Sequence, residues 1–80
     1  MKIEIKKFIT QDNNKLVGFC LTNEKGAIFI IDKEVPLVDG KTDEQYVQEA
    51  MALAQNEINE WQNSQSLIGK IWNPETNSFE

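Results

Sequence analysis

The sequence contains no histidine and no arginine, and it has a single cysteine, Cys20. Without histidine the chain lacks the usual general base near neutral pH, which excludes Ser-His-Asp and Cys-His catalysis and imidazole ligation of a metal. One cysteine can form neither an intrachain disulfide nor a structural zinc site. Because Cys20 lies in an apolar segment with no basic neighbour in sequence, we expect a buried and unreactive thiol.

Glycine is also scarce, and the four glycines are isolated singles, so no glycine-rich loop could cradle a phosphate. The segment Asp12-Asn13-Asn14 has the composition of a calcium loop but lacks the required glycine and the glutamate twelve residues along. Glu57 and Glu60 are one helical turn apart, but on a helix face without lysine they are typical of a solvated surface. The sequence therefore predicts no catalytic residue, no metal and no cofactor, and we expect a protein that is not an enzyme.

The charge of the chain is unfavourable for binding to nucleic acid. All eight basic residues are lysine, and the formal net charge is −5. Nucleic-acid binding requires a basic surface, and arginine is the residue that reads phosphate and guanine through two parallel hydrogen bonds. We therefore expect no nucleic-acid partner.

Long apolar runs are absent as well. No run approaches the ~18 residues needed to span a bilayer. Residues 1–7 alternate charged side chains with isoleucine and lack the apolar core of a signal peptide. These features predict a cytoplasmic protein with no membrane partner, in the host cytoplasm if the protein is viral, with association with a virus particle left open.

The segment from Thr42 to Trp61 predicts one long amphipathic helix. Its apolar residues recur at steps of three and four and share one stripe of the helix: Val47, Ala50, Met51, Ala54, Ile58 and Trp61. Thr42 and Gln45 have the spacing of a capping box, in which each side chain bonds the backbone of the other residue. Asn63-Ser64 indicates a weak helix stop.

Three segments before the helix predict β-strands: residues 2–9, 16–21 and 27–31. Strict alternation fails at residues 7–9, which suggests a bulge, and Pro36 indicates that residues 35–40 leave the sheet. Residues 67–72 could add a fourth, edge strand, after which a turn at 73–76 would return Phe79 towards Trp72. With 40% hydrophobic and 26% charged residues, we expect a single domain, residues 1–80. Its class is α+β, a three- to four-stranded antiparallel β-meander with one long helix packed on one face.

The second and third strands are apolar on both faces. Successive side chains of a strand point to opposite faces, and residues 16–21 and 28–31 are apolar at both even-numbered and odd-numbered positions, interrupted only by Gly18. One helix covers only one face of a sheet. Either residues 35–38 and the C-terminal segment cover the second face, or another subunit does. We expect a homo-oligomer that associates through the sheet surface or a strand edge, with these contact residues: Leu16, Phe29, Ile31, Trp72 and Phe79.

The polar face of the predicted helix is acidic and includes Glu49, Glu57 and Glu60. Such a face can serve as a solubilising surface. It can alternatively recognise a basic protein, for example by occupying a nucleic-acid-binding cleft as a small acidic inhibitor does.

The C-terminal segment carries a resemblance to a group of known sequences. It reads Ile68-Gly69-Lys70-Ile71-Trp72-Asn73-Pro74-Glu75-Thr76-Asn77-Ser78-Phe79. This segment resembles the ends of small bacteriophage and prophage open reading frames, which run glycine, two residues, an aromatic, a polar residue, proline, Glu/Ala-Thr and a terminal aromatic. Many such frames lie near virion tail and fibre genes. The resemblance implies a phage or prophage origin and transfers no functional residue.

Two functions follow from the sequence. The first is a non-enzymatic accessory or structural protein that self-associates, and a strictly monomeric mass at tens of micromolar would contradict it. The second is a small acidic binding module, for which binding to a basic partner should weaken with added salt. Changing Glu49, Glu57 and Glu60 to glutamine should weaken that binding too, as a titration of the two proteins would measure.

Overall fold

The structure, a computed structural model that describes residues 1–80, has an α+β fold and confirms the predicted class. The elements are β1 (Lys2–Gln11), β2 (Asn14–Thr22), β3 (Ile28–Pro36), α1 (Asp43–Leu67), β4 (Trp72–Asn73) and β5 (Ser78–Phe79). The first three strands form an antiparallel sheet in the order β1-β2-β3, and β4 pairs only with β5. The C-terminal segment therefore forms a separate hairpin and adds no fourth strand to the main sheet.

Short turns determine the register of the sheet. Gln11 pairs with Asn14 across a two-residue turn in which Asp12 adopts a left-handed φ of 56°, a conformation that Asp and Asn tolerate. In the β2–β3 turn, the side chain of Asn23 accepts hydrogen bonds from the backbone N–H groups of Lys25 and Ala27. The predicted bulge is present, but it lies between Ile5 and Lys7, slightly earlier than expected.

The hydrophobic core lies between the sheet and α1. Directly opposed residues of antiparallel strands point to the same face, so the pairing of Phe19 with Ile5 and Ile31 places all three towards the helix. Nine hydrophobic residues are buried there: Val17, Phe19, Leu21, Ile31, Val35, Tyr46, Ala50, Ala54 and Ile58. The two alanines have no exposed surface, and their small side chains let the helix approach the strands closely.

Helix α1 begins as the sequence predicts. The Thr42 Oγ1 accepts from the Gln45 N–H at 3.2 Å, and the Gln45 Oε1 accepts from the Thr42 N–H at 2.8 Å. The helix ends at Leu67 rather than near Trp61. Asn63 and Ser64 remain helical because each costs less than about 1 kcal/mol relative to alanine in a helix.

The molecule is elongated. Its radius of gyration is 16.9 Å, against the about 12 Å expected for a compact domain of this length. Its longest dimension is 58 Å, which exceeds the about 37 Å spanned by a helix of 25 residues. The last turn of α1 and the hairpin therefore project beyond the end of the sheet.

Removing the cap should destabilise α1 measurably. Thr42→Ala leaves an N–H of the first turn without its acceptor, and we expect the free energy of unfolding to fall by about 1 kcal/mol. The matched control is Thr76→Ala, because the Thr76 hydroxyl bonds only the exposed Ser78 hydroxyl. Urea unfolding followed by circular dichroism measures both variants, and equal losses of stability would contradict the role of the cap.

Candidate interaction surfaces

The face of the sheet that points away from α1 has no helix or strand packed on it, and we call it the open face. Its residues form five directly opposed rows: Lys2–Thr22–Ile28, Glu4–Cys20–Ile30, Lys7–Gly18–Asp32, Ile9–Leu16–Glu34 and Gln11–Asn14–Pro36. Ile28 is 60% and Ile30 is 70% exposed. Leu16 and Cys20 are partly exposed. The open face therefore presents aliphatic side chains to solvent, a property more typical of an interface than of an isolated surface.

An ion pair divides the open face into two apolar ends. The Lys7 Nζ lies 3.3 Å from the Asp32 Oδ2, and the two side chains meet above Gly18 on the central strand. A Cβ atom on Gly18 would lie 2.6 Å from the Asp32 Oδ1 and 3.0 Å from the Lys7 Cβ. Only glycine leaves enough space for this ion pair to cross the strand.

The structure places the predicted contact residues on different surfaces of the molecule. The register pairs Phe29 with Leu21 and Ile31 with Phe19, so both lie on the face covered by the helix. Ile31 is buried, and the Phe29 ring stacks on Trp61 at 5.5 Å. Neither side chain is therefore part of the open face, where Leu16 does lie. The exposed large hydrophobic residues of β3 are Ile28 and Ile30. The sequence shows both as apolar but does not indicate which face α1 covers.

The other two predicted contact residues, Trp72 and Phe79, lie in a projecting segment that we call the C-terminal arm, residues 68–80. Their rings meet edge to face at 5.2 Å, as the predicted return of Phe79 towards Trp72 requires. The Glu80 N–H donates to the Ile71 carbonyl at 2.9 Å. Every hydrogen bond and aromatic contact of the arm involves residues 65–80 only. The arm nevertheless exposes four large apolar side chains: Ile68, Ile71, Trp72 and Phe79.

The acidic helix face is partly neutralised within the chain. Glu57 pairs with Lys33 of β3 at 2.5 Å, and Glu49 pairs with Lys41 in the loop before the helix. Glu60 forms no ion pair. Two of the three predicted carboxylates therefore already have a basic partner, which lowers the negative potential of this face.

The outer edge of the sheet at β1 is charged. The Lys6 Nζ lies 2.7 Å from the Glu4 Oε2. The hydrogen bond and positive charge of Lys6 lower the pKa of Glu4, and the same contact raises the pKa of Lys6. Lysines and a bulge on an edge strand hinder addition of another strand. Association through this edge is therefore less favourable than association through the open face.

Cys20 differs from its expected environment. The sequence predicts a buried thiol, but this side chain is partly exposed because it points to the open face between Glu4 and Ile30. It is the only cysteine of the chain. Its reactivity can therefore report whether the open face is covered.

Further features of the structure concern metal ligation, membrane spanning and cavities. No group of three or more His, Cys, Asp or Glu residues is placed to hold a metal ion, and α1 is too polar to cross a membrane. An open cleft of about 340 Å³ lies between the β2–β3 turn and the end of α1, where mainly polar side chains surround Trp61 and Met1. Comparison of the chain with protein-family models, curated proteins and solved structures finds no match.

Substitution of Gly18 should disturb the ion pair above it. Gly18→Ala forces Asp32 and Lys7 apart, and we expect the free energy of unfolding to fall by about 1–3 kcal/mol, as for other overpacked sites. In an Asp32→Ala background the closest clash is absent, so the same substitution should cost less. Urea unfolding of the four proteins of this cycle measures the coupling, and strictly additive effects would contradict the proposed clash.

Proposed function

We propose that this protein is a non-enzymatic accessory or structural protein that self-associates through the open face. The observation that carries the proposal is the amount of exposed surface. The chain exposes 5777 Å², about 850 Å² more than the ~4,900 Å² expected for a compact monomer of its mass. A standard protein interface buries about 800 Å² on each partner. The excess belongs to the open face and the projecting C-terminal arm together, and its total is close to the area that one such interface buries on a partner.

Burial of the apolar side chains of the open face would favour association through the hydrophobic effect. Ile28 and Ile30 are well over half exposed, and covering each would contribute about 1–2 kcal/mol from the hydrophobic effect. Ile9 and Leu16 add apolar surface at the opposite end. Micromolar affinity corresponds to about 8 kcal/mol, and association also costs at least about 4 kcal/mol in lost freedom of movement. These four side chains are therefore not sufficient alone, and apolar side chains elsewhere in the contact must contribute.

The alternative function, recognition of a basic partner by Glu49, Glu57 and Glu60, has less support. Lys41 and Lys33 already pair with two of these side chains. The resemblance of residues 68–79 to the ends of phage open reading frames supports an accessory role in a phage or prophage setting. We propose the cytoplasm as the place where the protein acts.

Charge placed on the open face should abolish self-association. Ile30→Asp inserts a carboxylate into the contact surface but leaves the core unchanged, because Ile30 is 70% exposed. The matched control is Leu53→Asp, since Leu53 is 53% exposed on α1, away from the open face. Light scattering at tens of micromolar should give at least a dimer for the wild-type protein and for Leu53→Asp, and a monomer for Ile30→Asp.

The reactivity of Cys20 provides an independent measurement. If the open face is covered on association, alkylation of Cys20 by a maleimide should slow as the protein concentration rises. In Ile30→Asp the rate should be fast at every concentration. A monomeric wild-type protein with a concentration-independent rate of alkylation would contradict self-association, and an oligomer with unprotected Cys20 would contradict use of the open face.

A further inference from the structure

We infer that the C-terminal arm of one copy docks on the open face of a second copy, at the end formed by Ile28 and Ile30. The inference rests on the proposed self-association and identifies the segment that covers the face. The starting observation is that one chain has two exposed apolar surfaces. An aliphatic sheet surface and an arm with exposed Trp72 and Phe79 rings are both present, and neither covers the other.

The arm has little support from its own chain. Its strands, β4 and β5, have two residues each and pair only with one another. An isolated two-stranded hairpin is marginally stable in water and usually needs a surface to pack on. Its main internal packing is the edge-to-face contact of the two aromatic rings at 5.2 Å. A surface on which those rings could pack would therefore stabilise the arm.

The position of the arm favours a second copy as its partner. Ser66, near the end of α1, lies beside Asn23 and Lys25 of the β2–β3 turn, which marks the end of the sheet. The arm begins beyond that point and extends the molecule to a length of 58 Å. It therefore projects beyond the end of its own sheet, and its exposed rings are available to a neighbour.

The Lys7–Asp32 ion pair argues against stacking two complete open faces. Such stacking would bury the ion pair of each copy, and removal of paired charges from water is costly. A hairpin whose strands span about 7 Å can instead cover one end of the sheet, which is about 10 Å wide across three strands. At the end with Ile28 and Ile30, the arm would leave the Lys7–Asp32 ion pair in solvent, and the Glu4–Lys6 pair on the outer strand β1 would lie at the rim of the contact.

The chemistry of the two surfaces is complementary. Aromatic rings pack favourably on β-branched side chains of a sheet surface, and the arm offers Trp72 and Phe79 to Ile28 and Ile30. The charged side chains around this end of the sheet are Lys2, Glu4 and Lys6 of β1 and Glu24 and Lys25 of the β2–β3 turn, with a net charge of +1. The charged side chains of the arm are Lys70, Glu75 and Glu80, with a net charge of −1.

Mixing two full-length variants, each of which lacks one of the two contact surfaces, tests the inference. Trp72→Asp removes the contact surface of the arm and leaves the open face intact, whereas Ile30→Asp does the reverse. We expect each variant alone to be monomeric by light scattering at tens of micromolar. An equimolar mixture should form a heterodimer, because it combines one intact arm with one intact open face.

Mass spectrometry after alkylation shows which copy is covered, since the two variants differ in mass. In the mixture, Cys20 of the Trp72→Asp copy should be protected, and Cys20 of the Ile30→Asp copy should react at the monomer rate. Circular dichroism checks that both variants keep the helix. Phe79→Ser serves as a second arm variant and should behave as Trp72→Asp does.

The possible results separate this inference from the proposed function. If Trp72→Asp and Phe79→Ser associate as tightly as the wild-type protein while Ile30→Asp is monomeric, the open face is an interface but the arm does not cover it. If both defective variants are monomeric and their mixture stays monomeric, the arm and the open face do not contact each other, and the inference is overturned. A monomeric wild-type protein would overturn the proposed function itself.

Discussion

The structure depends on the contact between one stripe of α1 and one face of a three-stranded sheet. All nine buried hydrophobic side chains lie in this contact, and no second cluster exists elsewhere in the chain. Ala50 and Ala54 of α1 are fully buried in the same cluster as Phe19 and Leu21 of β2, and α1 contacts both β2 and β3. A domain of 80 residues buries a smaller fraction of its surface than a larger one. The only helix is packed on the first face, so no second helical layer is left to cover the other face of the sheet.

Charged side chains, rather than a second helix, limit contacts of the open face. On the central strand, Gly18 creates room for Lys7 and Asp32 to meet, so a polar bridge crosses the middle of the open face between Ile30 and Leu16. On β1, the contact of Lys6 with Glu4 adds charge to the sheet edge. Charged side chains of this kind prevent uncontrolled pairing of edges and stacking of faces. They also confine apolar contact to the ends of the sheet, which favours a small docking element over a second complete sheet.

Features that depend on residues close together in the sequence could be predicted from the sequence. The Thr42–Gln45 capping box involves residues three apart, so the start of α1 is correct. The end of the helix at Leu67 was missed because Asn63 and Ser64 impose only small penalties, and a helix already anchored by the core can continue through them. The two-faced character of β2 and β3 was also evident, because side-chain alternation is a property of the strand itself.

The sequence alone does not show on which face of the sheet each predicted contact residue lies. Leu16, Phe29 and Ile31 are equally apolar in sequence, and the face of each depends on the β2–β3 register, which pairs Thr22 with Ile28 across the intervening turn. A shift of one residue would exchange the two faces of β3. The partial exposure of Cys20 follows from the same register, since its thiol points away from α1. The separate C-terminal hairpin depends on the late end of the helix, which carries residues 72–79 past the sheet before they can join it.

The distribution of charge along the chain limits how two copies can meet. Residues 2–15 carry four lysines against two carboxylates, whereas residues 42–80 carry seven carboxylates against one lysine. Two copies that place α1 against α1 would bring like charges together, and so would a contact between two arms. A contact between the arm of one copy and the open face beside β1 of another brings unlike charges together. Electrostatic complementarity of this kind mainly selects orientation and partner, while the aliphatic and aromatic side chains supply the free energy. The division between a basic first strand and an acidic helix and arm thus favours an unlike, head-to-tail type of contact over a symmetric one, in agreement with the way the ion pair above Gly18 restricts stacking of the sheets.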